Sequence, residues 1–247
     1  YDTGVRIVKM VEEDLKPSDI MTKKSFENAI VTASAIGASS NAPPHLIAIA
    51  KKININLTLD DWERCGENVP LLVNMQPSGK YLGEGFFKAG GVPVVMHELN
   101  QNNLLNKDVM TVSGKTVDQN LKKIFREEND VIYDLKKPIK EKAGFLVLRS
   151  NFFDTAIMKM SVVNDEFIER YLSDSSNPNI FIAKAIVFDG PEDYHKNINN
   201  SDLNIDEKCI LVMRGCGPIG YPGSAEVVNM QPPDELLKKG ISSLPCI

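Results

Sequence analysis

A glycine- and proline-rich segment, residues 215–230, constrains the fold of this chain more than any other stretch. Four glycines and two prolines occupy its first nine positions, directly after the apolar run 209–214. The segment is not expected to be helical, because Pro218 and Pro222 lack the backbone donor of a helix and glycine loses the most entropy on ordering. We therefore predict a strand over 209–214 and then an irregular loop, the kind of segment that often carries functional residues.

One carboxylate, Glu226, follows the glycines, between the small residues Ser224 and Ala225 and the apolar residues Val227 and Val228. An ordinary exposed acid is the simplest interpretation of a single glutamate. The flanking residues favour instead a position at the edge of a core, where a carboxylate needs a cation or several hydrogen-bond donors. A hard divalent cation would meet that need, so Glu226 is a candidate metal ligand.

The same segment contains the pattern GxGxxG at Gly215, Gly217 and Gly220, which is typical of dinucleotide-binding folds. That pattern functions when a helix begins at the third glycine and points its N-terminus at a pyrophosphate. Pro218 inside the pattern and Pro222 just after it disfavour such a helix. A nucleotide-binding oxidoreductase is therefore a minor alternative that requires a helix beginning at Gly220.

The composition is that of a globular protein, with 43% apolar and 25% charged residues among 247. The net charge of −5 argues against a nucleic-acid-binding surface. No apolar run approaches the roughly 18 residues that would predict a membrane span. The four cysteines show neither a CxxC pair nor zinc-ligand spacing, which favours free thiols in a reducing, cytoplasmic compartment. Because both ends of the chain interrupt apolar or helical patterns, we expect a fragment of a larger protein.

The residue pattern changes near residue 135. Helical periodicity dominates before it, and a charged, proline-containing linker, residues 136–142, follows. We predict an α/β fold with two domains, a helix-rich one over 1–135 and a β-rich one over 136–247. The predicted strands of the second domain are residues 145–150, 155–163, 181–188 and 209–214, and its predicted helices are 191–198 and 232–240.

Capping patterns locate helices in the first domain. Thr22 is expected to cap one helix, and Thr58 with Asp61 forms a capping box for a second helix that contains Trp62, a predicted core residue. Further predictions are a helix over 4–15, a buried strand over 69–74 and an amphipathic helix over 116–128.

Two turns of the first domain are candidate ligand-binding segments. The ASSN turn, residues 38–41, groups two serine hydroxyls with the amide of Asn41, a set suited to an anionic or polyhydroxylated ligand. The simpler interpretation makes Asn41 only the N-cap of the next helix. The PSGK turn, residues 77–80, offers the ammonium group of Lys80, which is either an anion partner or an ordinary exposed lysine.

Several segments together resemble the dihydroxy-acid dehydratase/phosphogluconate dehydratase family, over nearly the whole chain. Residues 151–163, NFFDTAIMKMSVV, and 220–230, GYPGSAEVVNM, look closer to its sugar-acid members than to the branched-chain biosynthetic enzyme. The segments that carry the resemblance are 25–50, 57–99, 111–116, 143–163, 185–195 and 215–233.

The resemblance implies an enzyme, a hydro-lyase that removes water from a 2,3-dihydroxy acid and gives a 2-keto-3-deoxy acid. In such enzymes Mg²⁺ stabilises the enediolate that forms at the substrate carboxylate, and an iron–sulfur cluster, [2Fe–2S] or [4Fe–4S], polarises the leaving hydroxyl. The implied architecture is an α/β N-terminal domain followed by a β-barrel-like swivelling domain. The implied partners are a small polyhydroxy acid and further copies of the chain, in a dimer or tetramer.

Carried over residue by residue, the resemblance makes Glu226 the Mg²⁺ ligand. It also places Ser39, Ser40 and Asn41 in the family's substrate turn, with Ala38 replacing a glycine. It puts the cysteine ligands of the cluster upstream of Tyr1 and the serine base just after Ile247. We therefore expect this chain to be inactive by itself, and a non-catalytic truncated remnant is the alternative to a working dehydratase.

Overall fold

A computed structural model of the protein describes residues 1–152, 154–178, 180–216 and 230–247. These residues form two compact units, residues 1–162 and residues 163–247, which are described separately below. Within the described residues no helix combines the length and the apolar character that crossing a bilayer requires. The chain is a mixture of helix and sheet, in agreement with the predicted α/β class.

Helices account for most of the regular structure of the first unit. They are α1 Asp2–Glu12, α2 Pro17–Ile20, α3 Lys23–Ile36, α4 Ala42–Lys52, α5 Leu59–Gly66, α6 Gly83–Lys88, α7 Gly91–Gln101 and α8 Val117–Leu121. Strands β1 Phe145–Leu148 and β2 Ala156–Lys159 pair antiparallel, and a 3₁₀ turn, Met160–Val162, ends the unit. The predicted caps are confirmed: Thr22 accepts a hydrogen bond from the backbone of Ser25, and Thr58 forms a capping box with Asp61.

Two predictions for this unit were wrong in extent. Residues 69–74 form no continuous strand, because only Leu71 and Val73 pair, each through an isolated bridge to Lys140 or Ile132. The helix predicted over 116–128 ends at Leu121. Val69, Leu71, Leu72 and Val73 are nevertheless buried, so the apolar pattern of 69–74 identified core residues correctly and misjudged only the length of the pairing.

The core of the first unit consists of two clusters of buried side chains. The first cluster is formed mainly by side chains of α3, α7 and residues 69–73. The second cluster is formed by side chains of α3, α4, α5 and β1. Trp62 is completely buried in the second cluster, as predicted. Leu72 donates its backbone N–H to the carbonyl of Ala35 at 2.8 Å, which joins the irregular core segment to the end of α3.

The second unit contains α9 Asp165–Tyr171, β3 Lys184–Phe188, α10 Pro191–Asn197, a 3₁₀ turn at Ser201–Leu203, β4 Cys209–Met213 and α11 Asp234–Lys238. Strands β3 and β4 are parallel, with Lys184 opposite Cys209 and Phe188 opposite Met213. The four strands predicted beyond residue 142 are therefore all present, each shorter than predicted. Across the described ranges they form two two-stranded sheets and close no barrel.

Helix α9 lies in a region for which the sequence predicts mainly strands and no helix. Its N-terminal signal is nevertheless in the sequence: Asn164 accepts a hydrogen bond from the backbone of Phe167 at 2.9 Å, and Asp165 and Glu166 follow in the first turn. Acidic residues stabilise this end of a helix because it carries partial positive charge.

Candidate functional site

The ASSN turn follows the end of helix α3. Gly37 ends that helix in the left-handed conformation, with φ of 64°, which glycine adopts without steric cost. The backbone N–H of Gly37 donates to the carbonyl of Ser34, and that of Ala38 to the carbonyl of Ala33, at 3.1 and 2.9 Å. The helix end thereby fixes the direction in which the turn leaves α3.

Inside the turn, Ser39 and Asn41 bind each other. The Ser39 hydroxyl accepts from the Asn41 backbone N–H at 3.2 Å and from its side-chain Nδ2 at 3.1 Å. Asn41 immediately precedes α4, as predicted, but its backbone is helical and its side chain does not cap the helix. It is buried, whereas Ser40 is exposed and makes no hydrogen bond within the described residues. Ser40 is therefore the hydroxyl of this turn that is available to a ligand.

The PSGK turn is closed by Asn74 and Tyr81. The Asn74 side-chain oxygen accepts a hydrogen bond from the backbone N–H of Lys80 at 2.8 Å. The Asn74 backbone carbonyl accepts a second one from the backbone N–H of Tyr81 at 3.0 Å. Gly79 lies against Asn74 so closely that a Cβ atom would come within 2.5 Å of the Asn74 carbonyl carbon. This position therefore requires glycine, and the tight packing of Gly79 against Asn74 holds the backbone of the next residue, Lys80, in place.

Lys80 is exposed, but its ammonium group has neighbours. It lies 5.4 Å from the centre of the Tyr81 ring, within the range of a cation–π contact. The Tyr81 hydroxyl donates to the carboxylate of Asp130, which raises the pKa of Tyr81 and lowers that of Asp130. Lys80 also lowers the pKa of Asp130 through its positive charge. A ligand anion at Lys80 has to compete with this aromatic and acidic environment.

The structure brings the two turns together at their bases, which the sequence analysis did not predict. The Ser78 hydroxyl donates to the hydroxyl of Ser161 at 2.9 Å. A Cβ atom on Gly37 would lie 3.1 Å from Ser78 Oγ and 3.3 Å from Ser161 Oγ, so these three residues are in contact. The base of the ASSN turn thus rests on the PSGK turn and on the 3₁₀ turn after β2.

Two lysines lie on the segments that lead to this contact. The Lys140 ammonium donates to the carbonyl of Met160, next to Ser161, at 2.8 Å. Lys159, the last residue of β2, is half-buried, and burial lowers its pKa. In the described part of the chain no acidic side chain pairs with Lys159. Lys159 is therefore a half-buried cation whose charge no described ion pair compensates.

The second unit has a cavity of about 350 Å³ where β3 and β4 end. Asp189 and Arg214 form an ion pair beside it, and its other lining residues are Gly190, Pro191, Glu192, Gly215 and Cys216. The carboxyl ends of parallel strands are a common location for ligand sites. This cavity is therefore the candidate site of the second unit by position alone.

The predicted metal ligand Glu226 lies outside the described residues, as does most of the glycine-rich segment that contains it. Among the residues that are described, no three His, Cys, Asp or Glu side chains are arranged to hold a metal ion. The described residues therefore do not fit an iron–sulfur cluster or a complete Mg²⁺ site.

Comparison with known proteins identifies relatives along the whole chain. A family model described as dihydroxy-acid/6-phosphogluconate dehydratase N-terminal matches residues 1–120, and the corresponding C-terminal model matches residues 130–247. The D-xylonate dehydratase of Caulobacter vibrioides is 57% identical over all 247 residues, which correspond to 41% of that protein. The chain thus spans about two fifths of the length of the curated relatives it matches.

Two further relatives show the breadth of the similarity. The L-arabinonate dehydratase of Rhizobium leguminosarum is 50% identical over 97% of this chain and 40% of that protein. The dihydroxy-acid dehydratase of Picrophilus torridus is 37% identical over 92% of this chain and 39% of that protein. Since two models of one family together match residues 1–120 and 130–247, the chain belongs to the dihydroxy-acid/6-phosphogluconate dehydratase family.

Proposed function

We propose that this chain forms part of a hydro-lyase that converts a 2,3-dihydroxy sugar acid into a 2-keto-3-deoxy acid. The observation that carries the proposal is the 57% identity to a D-xylonate dehydratase over the entire chain. Identity to an L-arabinonate dehydratase is also higher, at 50%, than the 37% found for a dihydroxy-acid dehydratase. The sugar-acid members are therefore the better guide to the substrate.

The two turns supply the substrate contacts in this proposal. Ser40 and Asn41 offer neutral hydroxyl and amide groups, which match the hydroxyls of a sugar acid. Lys80 offers a positive charge for the substrate carboxylate, in competition with Asp130. Ser39 acts through Asn41, because its hydroxyl holds the Asn41 side chain and backbone at 3.1 and 3.2 Å.

The cofactor assignments are proposals that rest on the resemblance. Glu226 contributes to a Mg²⁺ site, and the cysteines that bind an iron–sulfur cluster and the serine that acts as base lie outside this chain. When bound, such cofactors would supply positive charge for the anion that develops on the substrate and would polarise the leaving hydroxyl. We also propose the division at residue 135, the β-barrel-like swivelling character of the C-terminal domain, a homo-oligomer and a cytoplasmic location.

A chimera tests the function directly. The 247-residue segment replaces its counterpart in the D-xylonate dehydratase of C. vibrioides, to which it aligns over its full length. We expect the chimera to form keto acid from D-xylonate or another five-carbon sugar acid, and the isolated chain to form none. The unmodified relative serves as the control for assembly, metal content and turnover.

Two outcomes would contradict the proposal. If the chimera assembles and loads its metals like the unmodified relative but dehydrates no acid in a panel of arabinonate, xylonate, gluconate and 2,3-dihydroxyisovalerate, the segment is a non-catalytic remnant. If the isolated chain turns over one of these acids with Mg²⁺, the assignment of the base and the cluster to residues outside the chain is wrong.

A further inference from the structure

A pair of hydroxyl groups joins segments that are far apart in the sequence. Ser78 donates to Ser161 at 2.9 Å across 83 residues. Ser161 is buried, with 7% of its surface exposed, and Ser78 is partly buried. A buried hydroxyl that loses its partner is costly, because no water replaces the bond. The pair therefore holds the PSGK turn and the turn after β2 at one separation.

Gly37 lies directly on this pair. A Cβ atom there would be 2.9 Å from Leu71 Cδ1, 3.1 Å from Ser78 Oγ and 3.3 Å from Ser161 Oγ. Contacts below 3.4 Å are closer than ordinary van der Waals contact, so the backbone of Gly37 fills the available space. A change in the position of either hydroxyl would therefore displace Gly37, the residue from which the ASSN turn starts.

The backbone around each of the two serines is fixed by a further hydrogen bond. On the PSGK side, the backbone N–H of Gln76 donates to the carbonyl of Tyr81 at 2.9 Å, which closes the loop around Ser78. On the other side, the Lys140 ammonium donates to the carbonyl of Met160 at 2.8 Å, immediately before Ser161. The hydroxyl pair thus links two anchored segments and can transmit their position to Gly37.

We infer that Ser78 and Ser161 are positioning residues that place the ASSN turn, and with it the Ser40 hydroxyl, for substrates that carry hydroxyl groups beyond C3. This inference rests on the proposed function, because it assigns Ser40 to the substrate. Neither serine of the pair touches the substrate. Their contribution is a fixed base for the turn, and a fixed hydroxyl binds without the entropy cost of ordering the turn at each encounter.

Hydrogen exchange on the 247-residue chain tests the positioning role without any enzyme assay. The amides of Ala38 and Ala42 report on the turn, because they donate to the carbonyls of Ala33 and Ser39 at 2.9 and 3.0 Å. In Ser161→Ala we expect both amides to exchange about tenfold faster, as expected for a loss of about 1.4 kcal/mol of local stability. Unchanged exchange at both amides would overturn the positioning role.

Thr22→Ala is the matched control, because Thr22 caps the other end of the same helix. The 14 residues of α3 place its cap about 20 Å from the turn. Removing that cap lowers the stability of the unit without touching Gly37. Exchange at Ala38 and Ala42 should therefore stay within about twofold of the wild-type rates in this variant.

Kinetics of the chimera separate positioning from general stability. We expect Ser161→Ala to raise KM for a five-carbon sugar acid about tenfold with kcat nearly unchanged, the pattern of lost ground-state binding. For 2,3-dihydroxyisovalerate, which has no hydroxyl beyond C3, KM should not change. Ser78→Ala should match Ser161→Ala, and the double variant should be no worse than either, because the pair acts as one unit.

The proposed function and the positioning role of the two serines would fail in different measurements. A wild-type chimera that assembles and produces no keto acid overturns the proposed function. An equal rise of KM for both classes of acid, or a fall of kcat alone, overturns the positioning of the turn for distal hydroxyls while the proposed function stands.

Discussion

The rings of Trp62 and Phe145 meet edge to face, with centroids 5.1 Å apart and planes at 89°. This contact joins helix α5 to strand β1, and both side chains are almost fully buried. Edge-to-face geometry places the positive edge of one ring against the negative face of the other, which adds to the gain from burial. The pair therefore links the helical core of the first unit to its small sheet.

Phe145→Ala should reduce the free energy of unfolding by about 3–5 kcal/mol, because it leaves a cavity against Trp62. Trp62→Phe should cost less than half of that. The indole Nε1 of Trp62 is buried without a hydrogen-bond partner in the described residues, so the smaller ring loses no polar contact. Urea unfolding followed by circular dichroism measures both variants. Equal losses would show that the indole nitrogen has a partner, such as a bound water.

The carboxylate of Asp61 predicts a pH dependence of stability. Burial raises its pKa, but hydrogen bonds from Lys23, Thr58 and Arg64 outweigh that effect and lower the pKa to about 2. A carboxyl group whose pKa is lowered on folding stabilises the fold above its unfolded pKa, near 4, and this contribution disappears as pH falls towards 2. Asp61→Asn should therefore cost about 2 kcal/mol at pH 7 and almost nothing at pH 2.

The neighbouring Asp60 provides the control for that experiment. Its side chain is 79% exposed and forms a surface ion pair with Arg149. Surface ion pairs contribute little, so Asp60→Asn should change the free energy of unfolding by less than about 1 kcal/mol at any pH. A loss for Asp61→Asn that does not vary between pH 2 and pH 7 would contradict the role of the charge.

Substitutions at Gly37 and Gly240 distinguish the conformational cost of a side chain at positive φ from the cost of steric overlap. Both have positive φ, 64° and 84°, but a Cβ atom at Gly37 would meet three side chains within 3.3 Å and one at Gly240 would meet none within 4 Å. Gly240→Ala should therefore cost about 1 kcal/mol, the conformational penalty alone. Gly37→Ala should cost about 2–4 kcal/mol, since steric overlap is added. Thermal or urea unfolding of both variants is the measurement, and equal costs would exclude overlap at Gly37.

Cys65 and Cys209 should resist alkylation in the folded protein. Burial raises the pKa of both thiols, so the reactive thiolate is scarcer than in an exposed cysteine at the same pH. Iodoacetamide at pH 8 followed by peptide mass spectrometry should label both residues slowly in buffer and rapidly in 8 M urea. The two residues report on different units, so rapid labelling of one in buffer would identify the unit whose core is open.

Ser40→Ala tests the substrate contact in the chimera. Because Ser40 is exposed and has no hydrogen-bond partner in the described ranges, the variant should unfold at the wild-type temperature. Loss of one hydrogen bond to a substrate hydroxyl should raise KM for a sugar acid about twofold to tenfold. Ser201→Ala, in the exposed 3₁₀ turn of the second unit, is the control and should leave KM unchanged. An unchanged KM in Ser40→Ala would remove Ser40 from the substrate site.

Features that depend only on neighbouring residues, such as helix caps, could be predicted from the sequence. The N-cap at Thr22 and the capping box at Thr58 depend on residues three positions apart, and both are present. The apolar pattern also identified Trp62 as core. Helix α9 is also marked locally, because Asn164 and the two acids after it form an N-terminal helix signal.

Strand lengths and the candidate site depended on contacts that no local pattern contains. Residues 69–74 pair only at isolated points because their partners, Ile132 and Lys140, lie in irregular segments, 59 residues after Val73 and 69 residues after Leu71. The ASSN turn and the PSGK turn are each candidate segments by sequence. Neither segment contains a residue pattern that predicts the contact among Ser78, Ser161 and Gly37.

The amino-acid sequence by itself determined the family, through segments that resemble its members. It also determined the positions of the capped helices and part of the core, because capping and hydrophobic pattern act between near neighbours. Only the tertiary structure decided that the two turns share a base. That contact consists of the hydrogen bond between the Ser78 and Ser161 hydroxyls and the close packing of Gly37 against both, and it forms when burial of the surrounding core brings three distant segments together.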